Sequence, residues 1–172
     1  MIRRLIVILT LGVGLIQPPL AARELSEDEL RMKERVVALS QGKGSVADLR
    51  IELMDGGMAS SRHYDIANGK VVSRAWDAPG SPEQHDEWVV TDEEIRALLR
   101  ALVEQQYWTF EGTQFVPDAN VFLFRLYYKD LQPVDYRCDA EEYRQSPPRA
   151  AIRLLLLKFV SDSSPAEQPV TR

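Results

Sequence analysis

The chain has 172 residues, 45% of them apolar and 27% charged, with 21 Lys and Arg against 26 Asp and Glu for a net charge of −5. That length gives about one domain with a buried core, and the acidic balance argues against binding nucleic acid or anionic lipid. A lone cysteine, Cys138, rules out an internal disulfide framework.

In chain order, the first predicted element is an export signal over residues 1–22. Arg3 and Arg4 precede an apolar run over residues 5–16, Gln17-Pro18-Pro19 breaks it, and Ala21-Ala22 offers a small-residue cleavage site before Arg23. The alternative is a membrane anchor, but the run is shorter than the roughly 20 residues that cross a bilayer. No cysteine follows it for lipid attachment. Cleavage after Ala22 leaves 19 cationic and 26 acidic side chains on 150 residues, a net charge of −7. The expected product is periplasmic or secreted, without stable membrane insertion.

Residues 26–39 read as a helix. Ser26 caps it, Glu29 completes a capping box, and Glu29 with Lys33 forms an i,i+4 pair. Leu30, Val36, Val37 and Leu39 make only a partial apolar stripe, which predicts loose packing or an arm. Residues 40–45 read as a linker. Residues 23–45 are therefore set apart from a single domain expected over 46–160. Within that domain, Leu49, Ile51 and Leu53 alternate with Arg50, Glu52 and Met54, the pattern of a half-buried strand. Asp55-Gly56-Gly57 turns the chain, and residues 62–67 and 70–76 form two strands joined at Asn68-Gly69, where both residues tolerate positive φ. Residues 77–86, with Pro79, Gly80 and Pro82, are expected as a polar loop, followed by a short extended piece over 87–90.

Thr91 and Glu94 form a second capping box, with Val90 and Ile95 in the hydrophobic-staple positions. Ile95, Leu98, Leu99, Leu102 and Val103 then follow the helical period, and Tyr107, Trp108 and Phe110 close the stretch as an aromatic plug. Residues 120–128 are apolar on both faces, which places that strand near the middle of a sheet. Lys129-Asp130 turns the chain and residues 132–138 pair back. Ser146-Pro147 opens the last helix, with Ile152, Leu155, Leu156 and Phe159 facing inward, and residues 161–172 are expected as a disordered tail. The fold class is α+β: an antiparallel twisted sheet of about five strands, two helices packed on one face, and an additional N-terminal helix.

No catalytic constellation follows from these elements. Ser61, His63 and Asp65 alternate on one strand face, where side chains two apart project in parallel about 6.6 Å apart along the axis, whereas a working triad converges from separate elements. His85, Asp86 and Glu87 lack the several His or Cys ligands of a zinc site and any acidic calcium loop. No metal and no cofactor are expected. Gly56-Gly57 does not open a helix and lacks a phosphate-loop pattern, so it reads as a turn, though one exposed enough to meet a partner. Cys138 reads as a small apolar strand residue. Trp76 and Trp88, which flank the proline-rich loop, are the aromatic candidates for an interface. The predicted binding residues are Gly56, Gly57, Trp76 and Trp88.

The order of features from Leu49 to Phe159 resembles emfourin-type inhibitors of thermolysin-like metalloproteases, and also secreted bacterial domains of unassigned function. The resemblance rests on Ile-Glu-Leu-Met-Asp-Gly-Gly-Met at residues 51–58, the capped helix with its aromatic cluster, and Val116-Pro117-Asp118 ahead of a strand, a hairpin and a proline-led helix. It implies a small α+β inhibitor that blocks a protease cleft with surface loops, and it aligns Gly56 and Gly57 with that family's Gly-Gly turn. The export signal and the helix from Ser26 depart from the pattern. The expected function is an exported, non-enzymatic protein-binding domain, with a protein partner and no nucleic acid, in the form of a protease inhibitor. A periplasmic immunity protein that neutralises a toxin and an enzyme using His63 or His85 are the alternatives.

Overall fold

The structure, a computed structural model, describes residues 24–57, 60–109 and 120–164. The segment expected as an export signal (residues 1–22), Phe110, Val116-Pro117-Asp118 and residues 165–172 lie outside the described residues.

Helix α1 (Glu27–Ser40) begins at the predicted box: the Glu29 N–H donates to Ser26 Oγ at 3.3 Å, and the Ser26 N–H donates to Glu29 Oε2 at 2.8 Å. It is not a loose arm. Met32, Val36 and Leu39 have no exposed surface and belong to the main core. These three residues form an i, i+4, i+7 stripe, whereas Leu30 points outward. The segment read as a linker is held down as well, because Arg96 donates to the carbonyls of Leu39 at 2.7 Å and Gly44 at 2.9 Å. The packed unit thus includes α1 instead of starting at Val46, the first residue of a short 3₁₀ turn (Val46–Asp48).

Six strands form one antiparallel sheet: β1 (Leu49–Gly56), β2 (Ser61–Ala67), β3 (Lys70–Trp76), β4 (Gln84–Val89), β5 (Val121–Tyr128) and β6 (Val134–Asp139), in the spatial order β4-β3-β2-β1-β5-β6. The β2–β3 hairpin turns on Asn68 and Gly69, with φ of 52° and 72°. That pair of left-handed residues matches the twist of the flanking strands. β5 lies inside the sheet between β1 and β6, as its two apolar faces require. β4 is the strand beyond the expected five. Gln84, His85, Asp86 and Glu87 are exposed, so an edge strand with polar groups on both faces has no alternation to read, and part of the expected loop over 77–86 is strand.

Helix α2 (Asp92–Glu104) has its predicted box, with the Glu94 N–H on Thr91 Oγ1 and the Thr91 N–H on Glu94 Oε2. The Thr91 N–H and hydroxyl, both donating to Glu94 Oε2, hold the Glu94 carboxyl below its ordinary range. Val90 and Ile95 are buried at the staple positions. After α2, Tyr107 is fully buried and its ring meets those of Trp108, Phe124 and Tyr136 edge-on. A short helix α3 (Ala140–Gln145) follows β6 directly. Asp139 and Glu142 cap each other's backbone there. Helix α4 (Pro147–Ser163) starts at the predicted proline and buries Ile152, Leu156 and Val160, with Leu155 and Phe159 packed alongside. It continues through Ser161 and Ser163, residues expected in the tail.

Candidate functional site

Alternate residues of every strand point to opposite faces of the sheet. One face carries Leu49, Ile51, Leu53, Ile66, Val71, Trp88, Phe122, Phe124, Leu126, Val134, Tyr136 and Cys138, which form a single core with the buried residues of α1, α2 and α4. The opposite face carries Arg50, Glu52, Met54, His63, Asp65, Val72, Arg74, Leu123, Arg125 and Tyr127, most of them partly exposed. Nothing among the described helices packs there. A shallow depression of about 270 Å³ occupies its middle, with Met54, Val72, Leu123, His63 and Arg74 in its lining.

Cross-strand pairing orders the charges on this open face. Asp65, Glu52, Arg125 and Asp135 follow one another across β2, β1, β5 and β6. Arg50 takes Asp65 in two hydrogen bonds, at 2.8 and 3.0 Å, and reaches Glu52. Arg125 clamps Asp135 through Nε and Nη2 and stands 3.7 Å from Glu52. The Tyr127 hydroxyl donates to Glu52 at 2.6 Å, and the guanidinium groups of Arg50 and Arg125 lie against its ring. These contacts raise the Arg50 and Arg125 pKa values, chiefly through the hydrogen bonds to Asp65 and Asp135. Planar forks of this kind, held by bidentate carboxylates, are more rigid than free surface arginines.

The open face runs into a cleft at the end of the sheet. Gly56, Ser61 and Trp76 are consecutive in one cross-strand row. Gly56 has φ of +134°, and a Cβ there would come within 2.4 Å of the Ser60 carbonyl oxygen, so the turn has no room for a side chain. The Gly57 N–H donates to that carbonyl at 2.8 Å and closes the turn. Trp76 packs on His63, ring centroids 5.0 Å apart and 32° between planes. The cleft, about 310 Å³, is lined by Gly56, Ser61, Arg62, Trp76 and Asp77, and by Arg153 of α4, which grips Asp55 at 2.7 and 3.0 Å. Gly56, Gly57 and Trp76 thus converge at one end of the sheet. Trp88 does not join them. It lies on the core face, 8% exposed, with its indole N–H donating to Ser163 Oγ at 2.9 Å.

The remaining candidates are engaged separately. Ser61 is buried, His63 packs at a tilt on Trp76 and Asp65 is taken by Arg50. Burial and the neighbouring Arg74 lower the His63 pKa, with Glu83 and Glu52 opposing. On β4, Glu87 pairs with Lys70, and that contact lowers its pKa. No group of three or more His, Cys, Asp and Glu among the described residues is placed to hold a metal. Cys138 is completely buried, and its thiol is pushed up to about 12 by that burial, which keeps it from acting as a thiolate near neutral pH. Sequence reasoning passed over Arg50, Glu52, Met54, Leu123, Arg125 and Tyr127 as site residues. The available signal was their position in alternation with the core residues of β1 and β5.

The sequence matches no protein-family model and none of the curated proteins compared with it.

Proposed function

We propose that this protein is an exported, non-enzymatic binding domain that engages a protein partner through the open face of its sheet and the adjoining end cleft. The observation that carries the reading is the composition of that face. An apolar centre of Met54, Val72 and Leu123 and a half-buried Trp76–His63 ring contact are framed by arginines already ordered by carboxylates. An apolar anchor set inside a polar rim is how protein interfaces concentrate their affinity. Ordering the rim beforehand reduces the side-chain entropy lost on association. Export is part of the proposal and rests on the sequence of residues 1–22.

The test is affinity capture from the native periplasm or medium, using the wild-type chain beside Leu123→Asp and Trp76→Ala, with folding monitored by circular dichroism. A partner retained by the wild type and lost by both folded variants supports the reading, and retention by both overturns it. The resemblance at Gly56-Gly57 favours an inhibitor as the specific form. In that form, micromolar protein slows a thermolysin-like protease, and an unchanged rate removes the inhibitor role while leaving the binding face to the capture experiment.

A further inference from the structure

The arginines of the strands are paired almost throughout. Arg50 holds Asp65 and Glu52, Arg74 faces Glu83, and Arg125 and Arg137 share Asp135. Arg62 is the exception among the described strand arginines: its side chain is exposed and makes neither a hydrogen bond nor an ion pair with any described residue. Its position in the fold explains this. Arg62 occupies a core-face position on β2 opposite Asp55 of β1, where a cross-strand ion pair would ordinarily form. Arg153, reaching from α4, takes both oxygens of that carboxylate instead. The other acid of the cleft, Asp77, accepts from Gln84 Nε2 at 3.2 Å. Asp55 is therefore committed to Arg153, and Asp77 is engaged through one oxygen. Arg62 borders the end cleft from the core-face side, with Ser60, Ser61 and Asn120 in the lining and Trp76, which projects to the open face, as the opposite apolar wall. Arg62 also borders a second depression with Asp86 of β4.

We infer that this cleft binds a carboxylate presented on a peptide, with Arg62 as its bidentate donor. A guanidinium offers two parallel N–H groups that match a carboxylate, and the nearby hydroxyl and amide groups are further donors. A phosphate dianion fits the cleft less well, because Asp55 and Asp77 stand beside it and the chain is acidic overall. The indole wall favours a carboxylate carried on an organic group over a free inorganic anion. An acidic side chain and a chain terminus supply the same chemistry. The inference rests on the part of the proposed binding surface that the end cleft supplies and does not require the rest of the open face to be an interface.

The test follows the arginine Nε–H and indole N–H resonances of the purified chain by NMR during four titrations: acetyl-aspartate amide, a short peptide with a free C-terminus, the same peptide amidated, and inorganic phosphate. The expected result is saturable movement of the Arg62 and Trp76 signals with one or both carboxylates and none with the amide. The tighter of the two carboxylates identifies the source. Arg62→Met weakens binding at least about tenfold, and Arg62→Lys, which keeps the charge and loses the fork, weakens it less. Unsaturable shifts, tighter binding of phosphate, or unchanged affinity in both folded variants overturns the assignment. Because the probes are small molecules and Leu123 lies outside the cleft, failure here leaves the Leu123→Asp arm of the capture experiment to judge the open face.

Discussion

One step along β5 changes the environment completely. Phe122, Phe124 and Leu126 have no exposed surface, whereas Leu123, Arg125 and Tyr127, between and after them, remain partly open. The same alternation holds on β1, where Ile51 and Leu53 are buried and Glu52 and Met54 look outward. Stability is concentrated on one face and the candidate recognition surface on the other, so neighbouring substitutions should separate the two. Phe124→Ala removes a ring stacked on Tyr136 at 4.5 Å and wedged against Tyr107. It should cost about 3–5 kcal/mol in urea unfolding, while Leu123→Ala, one residue away, should cost about 1 kcal/mol or less. Equal losses would show that the open face is also structural.

The N-terminal helix sharpens the contrast from another side. An arm would tolerate truncation of its apolar residues, but Met32 is buried in the same core as the sheet. Met32→Ala should cost about 2–5 kcal/mol and leave a single cooperative transition. A separate early transition in circular dichroism would mean that α1 unfolds independently. A smaller loss, about 1–3 kcal/mol, is expected for Gly56→Ala, since the turn needs a positive φ and the new methyl meets the Ser60 carbonyl. That variant should also disturb Trp76 fluorescence, as the two residues share a cross-strand row.

The two tryptophans show how much was legible in the sequence. Both flank the same loop and both were candidates for the surface. The parity that sends Trp76 outward beside Ser61 and Trp88 inward beside Val71 depends on strand pairing, which no local pattern encodes. By contrast, the boxes at Ser26 and Thr91 and the Asn68-Gly69 turn were readable because their bonds close within three or four residues. β4 was not, since its only buried residue is Trp88. The docking of α1 was missed because its stripe was assembled without Met32. At the site, Gly56 and Trp76 stand out in the sequence as neighbours of a turn and a loop, but the polar rows join residues as distant in sequence as Glu52 and Tyr127 and appear only once the sheet is built. Trp88→Phe tests the parity. Losing the bond to Ser163 should cost about 0.5–1.5 kcal/mol with partner capture unchanged, whereas Trp76→Phe should do the reverse.

The smallest predicted effect concerns His63, an imidazole on the open face. His63 faces Trp76, Arg74, Glu83 and Glu52, and burial together with Arg74 lowers its pKa in the folded protein. A lowered histidine pKa means that the unfolded chain binds the proton more readily. The stabilising contribution of the neutral ring is therefore complete above the unfolded value of about 6.5 and is lost as pH falls toward the folded one. Urea midpoints measured from about pH 7.5 to about pH 4.5 should decline more steeply for the wild type than for His63→Gln, and the difference between the two should level off once pH is below the folded pKa. The partly exposed setting keeps this term small beside the core substitutions. If the two proteins show identical pH slopes, the ring is titrating as freely as in the unfolded chain, and the open face around Trp76 is looser than its packed geometry implies.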